Sequence, residues 1–125
     1  MKIAVDYDGT LEFDFVQEII KKYIANGHQV EIVTTRYDDE HKHLYANWEQ
    51  WESWNKEGLN EPIFKLAREL NIPCHFCNMV YKAEYLNANG FDMLIDDNPE
   101  EQKNLKKTIK FILRDKLDEY EEQIN

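Results

Sequence analysis

The feature that most constrains this chain is an apolar triplet, Ile3-Ala4-Val5, that runs straight into Asp6-Tyr7-Asp8-Gly9-Thr10. An unbroken apolar run that stops at a turn signal is the pattern of a short strand covered on both faces, as in a parallel sheet. Ligands of open α/β sheets collect outside the carboxyl ends of the strands, and Asp6 and Asp8 fall there. Two carboxylates this close disfavour each other's ionisation, so the pair asks for a cation. Magnesium suits it, because that ion takes oxygen ligands and is typically held by one or two carboxylates together with a substrate phosphate. A carboxylate can also attack phosphorus and form an aspartyl-phosphate. Gly9 lets the chain leave the strand through a turn that side chains would obstruct. Alone, the same letters also describe an acidic turn without chemistry.

The next stretch supplies the sheet's first crossover. Phe13, Phe15, Val16, Ile19, Ile20, Tyr23 and Ile24 recur at helical spacing, with Asp14 as N-cap and Asn26-Gly27 as the stop. His28 to Thr34 reads as a second strand through the β-branched Val30, Ile32 and Val33. A strand, a helix and a strand in succession form the βαβ unit of a parallel sheet. The usual crossover then puts Thr34, Thr35 and Arg36 on the same rim as Asp6. Hydroxyls and backbone amides there can hold phosphate oxygens without adding bulk, and a strand that merely ends in polar residues looks the same.

From Asp38 to Leu59 the chain is charged and aromatic, with Leu44, Tyr45, Trp48, Trp51 and Trp54 spaced by three or four, which predicts a helix. Its tryptophans form a face packed on the sheet, a substrate wall or a subunit contact; sheet packing is the ordinary role of such a stripe. Pro62 opens another helix, with Ile63, Phe64, Leu66, Ala67 and Leu70 facing inward. A third strand spans Cys74 to Cys77, and a helix beginning near Val80 carries Lys82 at its start. A helix N-terminus favours anions, so Lys82 is either a ligand cation or simply solvated. Met93-Leu94-Ile95 then repeats the opening pattern and stops at Asp96-Asp97-Asn98-Pro99. Residues 108–113 fit an edge strand or a helix equally, and Asp118 to Glu122 fits a solvated helix face.

Composition narrows the partners. With 125 residues the chain makes one domain, 1–125, long enough to bury a core. Its formal net charge of −10 repels a polynucleotide backbone, so no nucleic-acid partner is expected. No apolar run reaches membrane-span length and Met1 leads directly into the first strand, so a cytoplasmic protein without a membrane partner is expected. Cys74 and Cys77 lie three apart in a strand and so point to opposite faces, which favours reduced, packed thiols over a disulfide or zinc site. No second cysteine pair completes a zinc site, although His41, His43 and His75 are available in principle.

In chain order there is an Asp-x-Asp-Gly-Thr after strand one, Thr34 after strand two, Lys82 at a helix start, and Asp96-Asp97 after strand four. This order resembles the haloacid dehalogenase superfamily of phosphatases and phosphotransferases, over roughly residues 3 to 99. The resemblance implies a doubly wound, Rossmann-like α/β fold with a mostly parallel sheet of four to five strands flanked by helices. It implies that Asp6 is the nucleophile and Asp8 the general acid and base. Thr34, Thr35, Lys82, Gly9 and Thr10 would bind the phosphoryl group. Asp6, the backbone carbonyl of Asp8, Asp96 and Asp97 would hold magnesium. Residues 38–59 would serve as a small helical flap in place of a cap domain, with Arg36 and the Trp48–Trp54 stretch reaching the substrate or a second copy. The activity implied is hydrolysis of a small phosphomonoester, a sugar phosphate or a nucleotide. A magnesium- and phosphate-binding module without turnover is the alternative. A receiver-like signalling domain fits less well, because its paired acids come early and here they come last.

Overall fold

The computed structural model describes residues 1–124. Ile3, Ala4 and Val5 are wholly buried in the central strand of a sheet, β1 (Lys2–Val5). On one side lie β2 (Gln29–Thr34) and β3 (Cys74–Phe76), on the other β4 (Met93–Asp96) and β5 (Lys110–Leu113). The order is β3-β2-β1-β4-β5 and every pairing is parallel, so the fold is the α/β, Rossmann-like one expected, with five strands. The chain grows the sheet outward through β2 and β3, then crosses back to β4, which places the topological switch point between β1 and β4. The segment left open between strand and helix, 108–113, contains β5, an edge strand paired with β4.

Alternation along each strand sorts the core into two layers. Ile3, Val5, Ile32, Met93 and Ile95 face the larger layer. There they meet α1 (Asp14–Ala25) through Val16, Ile19, Ile20 and Tyr23, and α2 (Glu61–Leu70) through Ile63 and Ala67. Leu117, from α4 (Leu117–Ile124), joins the same layer. Ala4, Val33 and Leu94 face the other side, against Leu86 of α3 (Ala83–Ala88), Phe91 and Ile109. Pro62 lies in the first turn of α2, where its missing N–H is not needed, and Asn71 ends that helix in the left-handed conformation. Among the described residues no helix is long and apolar enough to cross a membrane.

Two local expectations are corrected. Asp14 is the first residue of α1 and not its cap; Phe13 stands in the N-cap position, with no side-chain cap bond. Phe13 and Phe15 remain 42% and 44% exposed, since one precedes the helix and the other lies off the stripe formed by Val16, Ile19, Ile20 and Tyr23.

The second correction is larger. Residues 38–59 do not form one helix but two short 3₁₀ turns, Lys42–Asn47 and Glu49–Trp54, separated by an extended Trp48 with φ −121° and ψ 109°. Nor does the aromatic stripe pack on the sheet. Tyr45 meets Tyr37 edge-on at 4.8 Å and Trp51 meets Trp54 at 4.7 Å, while Trp48 donates its indole N–H to the Tyr37 hydroxyl. These rings satisfy one another at the rim of the sheet. Cys74 and Cys77 are free thiols, and burial pushes the Cys77 thiol up to about 12.

Candidate active site

Strand register brings the acidic residues together. Val5 pairs with Ile95, so Asp6 and Asp96 emerge side by side where β1 and β4 end, and Asp6 N–H donates to the Ile95 carbonyl at 2.9 Å. By alternation both carboxylates point to the side of Ala4 and Leu94, towards α3. Lys82, immediately before α3, reaches in from that side. Its ammonium donates to Asp6 Oδ1 at 2.7 Å and to Asp96 Oδ2 over a short contact. Lys82 and Asp96 are each 1% exposed and Asp6 5%, so this is a buried charge cluster and not a surface ion pair.

Burial lifts the Asp6 carboxyl well above the ordinary carboxylate range; the Lys82 ammonium pulls it back and Asp96 pushes it further up. Asp96 is raised as well, again first by burial. Burial acts downward on Lys82, yet the two carboxylates outweigh it and hold the ammonium above its usual value. A desolvated ion is stable only when its partners stay in place, so the cluster fixes the positions of all three side chains.

Thr10 and Asp97 complete the floor. The Thr10 hydroxyl, fully buried, donates to Asp6 Oδ2 at 3.3 Å and lies 3.5 Å from Asp97 Oδ1. Gly9 has φ +74°, and a Cβ built there would stand 2.3 Å from Asp97 Oδ2. Glycine is therefore required both by conformation and by the approach of Asp97. Its N–H is engaged by the Glu12 carboxylate at 2.6 Å and its carbonyl by Arg114 at 2.5 Å. Thr34 is buried at the end of β2, its hydroxyl accepting the Arg36 N–H at 3.2 Å.

Asp8 is not part of this cluster. Oxygens of Asp6, Asp96 and Asp97 lie within 4.8 Å of one another, the one such acidic triple among the described residues, and the Asp8 carboxylate stands apart from it. Arg36 grips it with two bonds, Nε to Oδ2 at 2.9 Å and Nη2 to Oδ1 at 2.7 Å. The remaining guanidinium nitrogen donates to the Leu59 carbonyl at 2.9 Å and lies 3.4 Å from Asn60 Oδ1. The guanidinium also sits 4.9 Å from the Trp54 ring and 5.4 Å from that of Tyr7. Arg36 and the tryptophan segment thus do reach the rim, where Arg36 holds Asp8 and Trp54 stands against its guanidinium.

Two positioning residues escape a sequence reading. Buried Glu101 accepts the Lys82 backbone N–H at 2.9 Å and so anchors the start of α3. Nothing in the letters distinguishes it from exposed Glu100. Buried Asn60 bonds the Tyr37 carbonyl, Asp39 and Arg36 at once. The sequence presents it only as the residue that opens the helix before Pro62, and it does stand in the N-cap position of α2.

Comparison with known proteins adds no relative: no family model matches the chain, nor does any curated protein or solved structure. The donor set itself fits a small hard cation. Three carboxylates converge against one ammonium, leaving excess negative charge, and Asp6 Oδ2 and the Asp97 carboxylate are not taken up by Lys82.

Proposed function

We propose that the protein is a magnesium-dependent phosphomonoester hydrolase of the haloacid dehalogenase type, acting through an aspartyl-phosphate on Asp6. One observation carries the reading: Asp6, Asp96, Asp97 and Lys82, brought from three separate stretches of chain, meet at the carboxyl ends of the two strands that flank the switch point. A purely structural role does not need three carboxylates there.

Asp6 attacks phosphorus through a carboxylate oxygen and the bond to the leaving oxygen breaks. Asp8, protonated and freed from Arg36, gives its proton to that oxygen and the alcohol departs. A water then attacks phosphorus and passes a proton to Asp8; the bond between phosphorus and Asp6 breaks, releasing inorganic phosphate. In this reading Lys82 and the Thr34 hydroxyl would meet the charge that builds on the equatorial oxygens, which is where phosphoryl transfer is most sensitive to preorganised partners. Asp6, Asp96, Asp97 and the Asp8 carbonyl would hold magnesium, and when bound it would supply the positive charge that lets a carboxylate approach a phosphate. The net charge of −10 directs the choice of substrate to a small phosphorylated metabolite and away from polynucleotides.

Hydrolysis of an aryl phosphate by the purified protein, with and without magnesium, tests this. Activity should need magnesium and should vanish in Asp6→Asn with the fold intact; a fully active Asp6→Asn overturns the nucleophile. A second reading, a magnesium and phosphate binder without turnover, draws on the two-bond grip of Arg36 on Asp8. Magnesium binding with no hydrolysis across a broad phosphomonoester panel would select it.

A further inference from the structure

Beside Asp8, between the end of β2 and the 3₁₀ turn Glu49–Trp54, lies a cavity of about 130 Å³ walled by Thr35, Arg36, Tyr45, Trp51, Trp54 and Met79. We infer that this cavity is the leaving-group pocket of the proposed active site and that it takes a single planar ring, which makes the substrate class an aryl phosphomonoester. The inference rests on the reading of Asp6 and Asp8 given above and deepens it.

Size is the first ground. Apolar cavities of roughly 150 Å³ hold one benzene ring, so this one admits a single ring and little more. Lining is the second. Trp51 and Trp54 stand nearly perpendicular, 82° apart, and Tyr45 adds a third ring 6.0 Å from Trp54. Such walls offer faces and edges to an inserted ring, the arrangements in which aromatic pairs gain beyond their buried area.

Some polar groups of the wall are engaged: the Tyr45 hydroxyl accepts the Tyr37 N–H at 3.0 Å, the Thr35 carbonyl accepts the Met79 N–H at 2.6 Å and Arg36 Nη1 donates to the Leu59 carbonyl at 2.9 Å. A plain ring has no hydroxyl to leave unpaired against the ring faces of Trp51, Trp54 and Tyr45.

Position is the third ground. Asp8, which protonates the leaving oxygen, is itself part of the wall, so the atom bonded to that oxygen sits at the cavity mouth. A ring attached directly to the oxygen enters; a ring on a long tether has no need of this cavity. Backbone strain is the fourth. Asn78 and Met79 are consecutive non-glycine residues at φ +54° and +64°, a left-handed conformation that is unfavourable for a side chain such as methionine's. Bonds from Asn78 N–H to the Arg36 carbonyl and from Met79 N–H to that of Thr35 enforce it, and the result is a thioether laid against the rings. Strain held in this way is characteristic of ligand-binding loops.

The experiment compares phenylphosphonate with methylphosphonate, two non-hydrolysable probes that differ only in the ring, binding to the intact protein with magnesium by calorimetry. Phenylphosphonate is expected to bind at least about tenfold tighter, the equivalent of about 1.4 kcal/mol. Trp54→Ala should reduce that ratio to below about threefold, and Trp54→Phe, which keeps a ring and guards against misfolding, should retain it. Equal binding of the two probes overturns the pocket even if the wild type hydrolyses glycerol phosphate. A ratio unchanged in Trp54→Ala overturns its assignment to this cavity. A ring preference without hydrolysis of any aryl phosphate overturns the catalytic reading and leaves the cavity as a binding site for aryl phosphates.

Discussion

The floor of the site and its rim are built from the same chemistry, a carboxylate gripped by a side-chain cation, in two different media. On the floor, Lys82 and its partners Asp6 and Asp96 are nearly sealed from solvent. At the rim, the side chains of Arg36 and Asp8 are 11% and 41% exposed. Where water is excluded, each ion depends on the others, because an unpaired buried charge is costly. Where water reaches the carboxylate, losing the pair leaves that ion solvated instead of buried. The two regions therefore suit the different duties proposed for them: fixed positioning below, and above, an acid that would have to be released before it exchanged a proton.

Breaking the floor should have the largest effect. Lys82→Ala leaves two carboxylates buried face to face and should destabilise the protein by about 3–5 kcal/mol, whereas Arg36→Ala leaves Asp8 to the solvent and should lose only about 1–2 kcal/mol. Denaturant unfolding of both variants measures the gap, and equal losses would mean that burial does not separate the two regions. Next in size is the response to magnesium. At a hundredfold excess over its dissociation constant the ion should stabilise the wild type by about 2.7 kcal/mol. Asp97→Asn, a change at an exposed residue, should remove most of that gain while leaving the metal-free melting temperature close to wild type.

Gly9→Ala sharpens the comparison from the side of the turn. A left-handed alanine should lower stability by about 1–2 kcal/mol, a modest loss because the atom its Cβ meets is the movable end of Asp97. That same displacement should reduce the proposed phosphatase activity by about 100-fold, since small misplacements of reacting groups are expensive. Rates and melting temperatures of one preparation report both. The smallest effect concerns Cys77, near the floor. Burial pushes its thiol up to about 12 from the ordinary 9.0, so the folded state holds its proton more tightly. Stability should thus be intact below pH 9 and decline as pH rises towards 12, and alkylation by iodoacetamide at pH 8 should be slow until denaturant is added.

Strand ends were legible because their signal is local. The apolar runs at Ile3–Val5 and Met93–Ile95 each stop at an acid, and both acids stand where expected. Thr34 and Lys82 were marked by position alone, one after a strand and one at a helix start, and both are buried. The tryptophan segment was misread because a spacing of three or four fits both an α-helix and a pair of 3₁₀ turns; the extended Trp48, held through its bond to Tyr37, decides between them. Glu101 and Asn60 were invisible because their roles consist of hydrogen bonds to residues 19 and 24 positions away.

The sequence by itself determined a parallel α/β sheet and the identity of the polar residues at its carboxyl edge, since hydrophobic periodicity and turn chemistry act over a few neighbouring residues. Only tertiary structure decided how those residues associate. Asp6 meets Lys82 across 76 positions of chain, and Asp8, two residues from Asp6, turns instead to Arg36 and a ring-lined cavity. Strand register and alternation set the first contact, the turn at Gly9 sends Asp8 the other way, and neither outcome is encoded in the spacing of the letters.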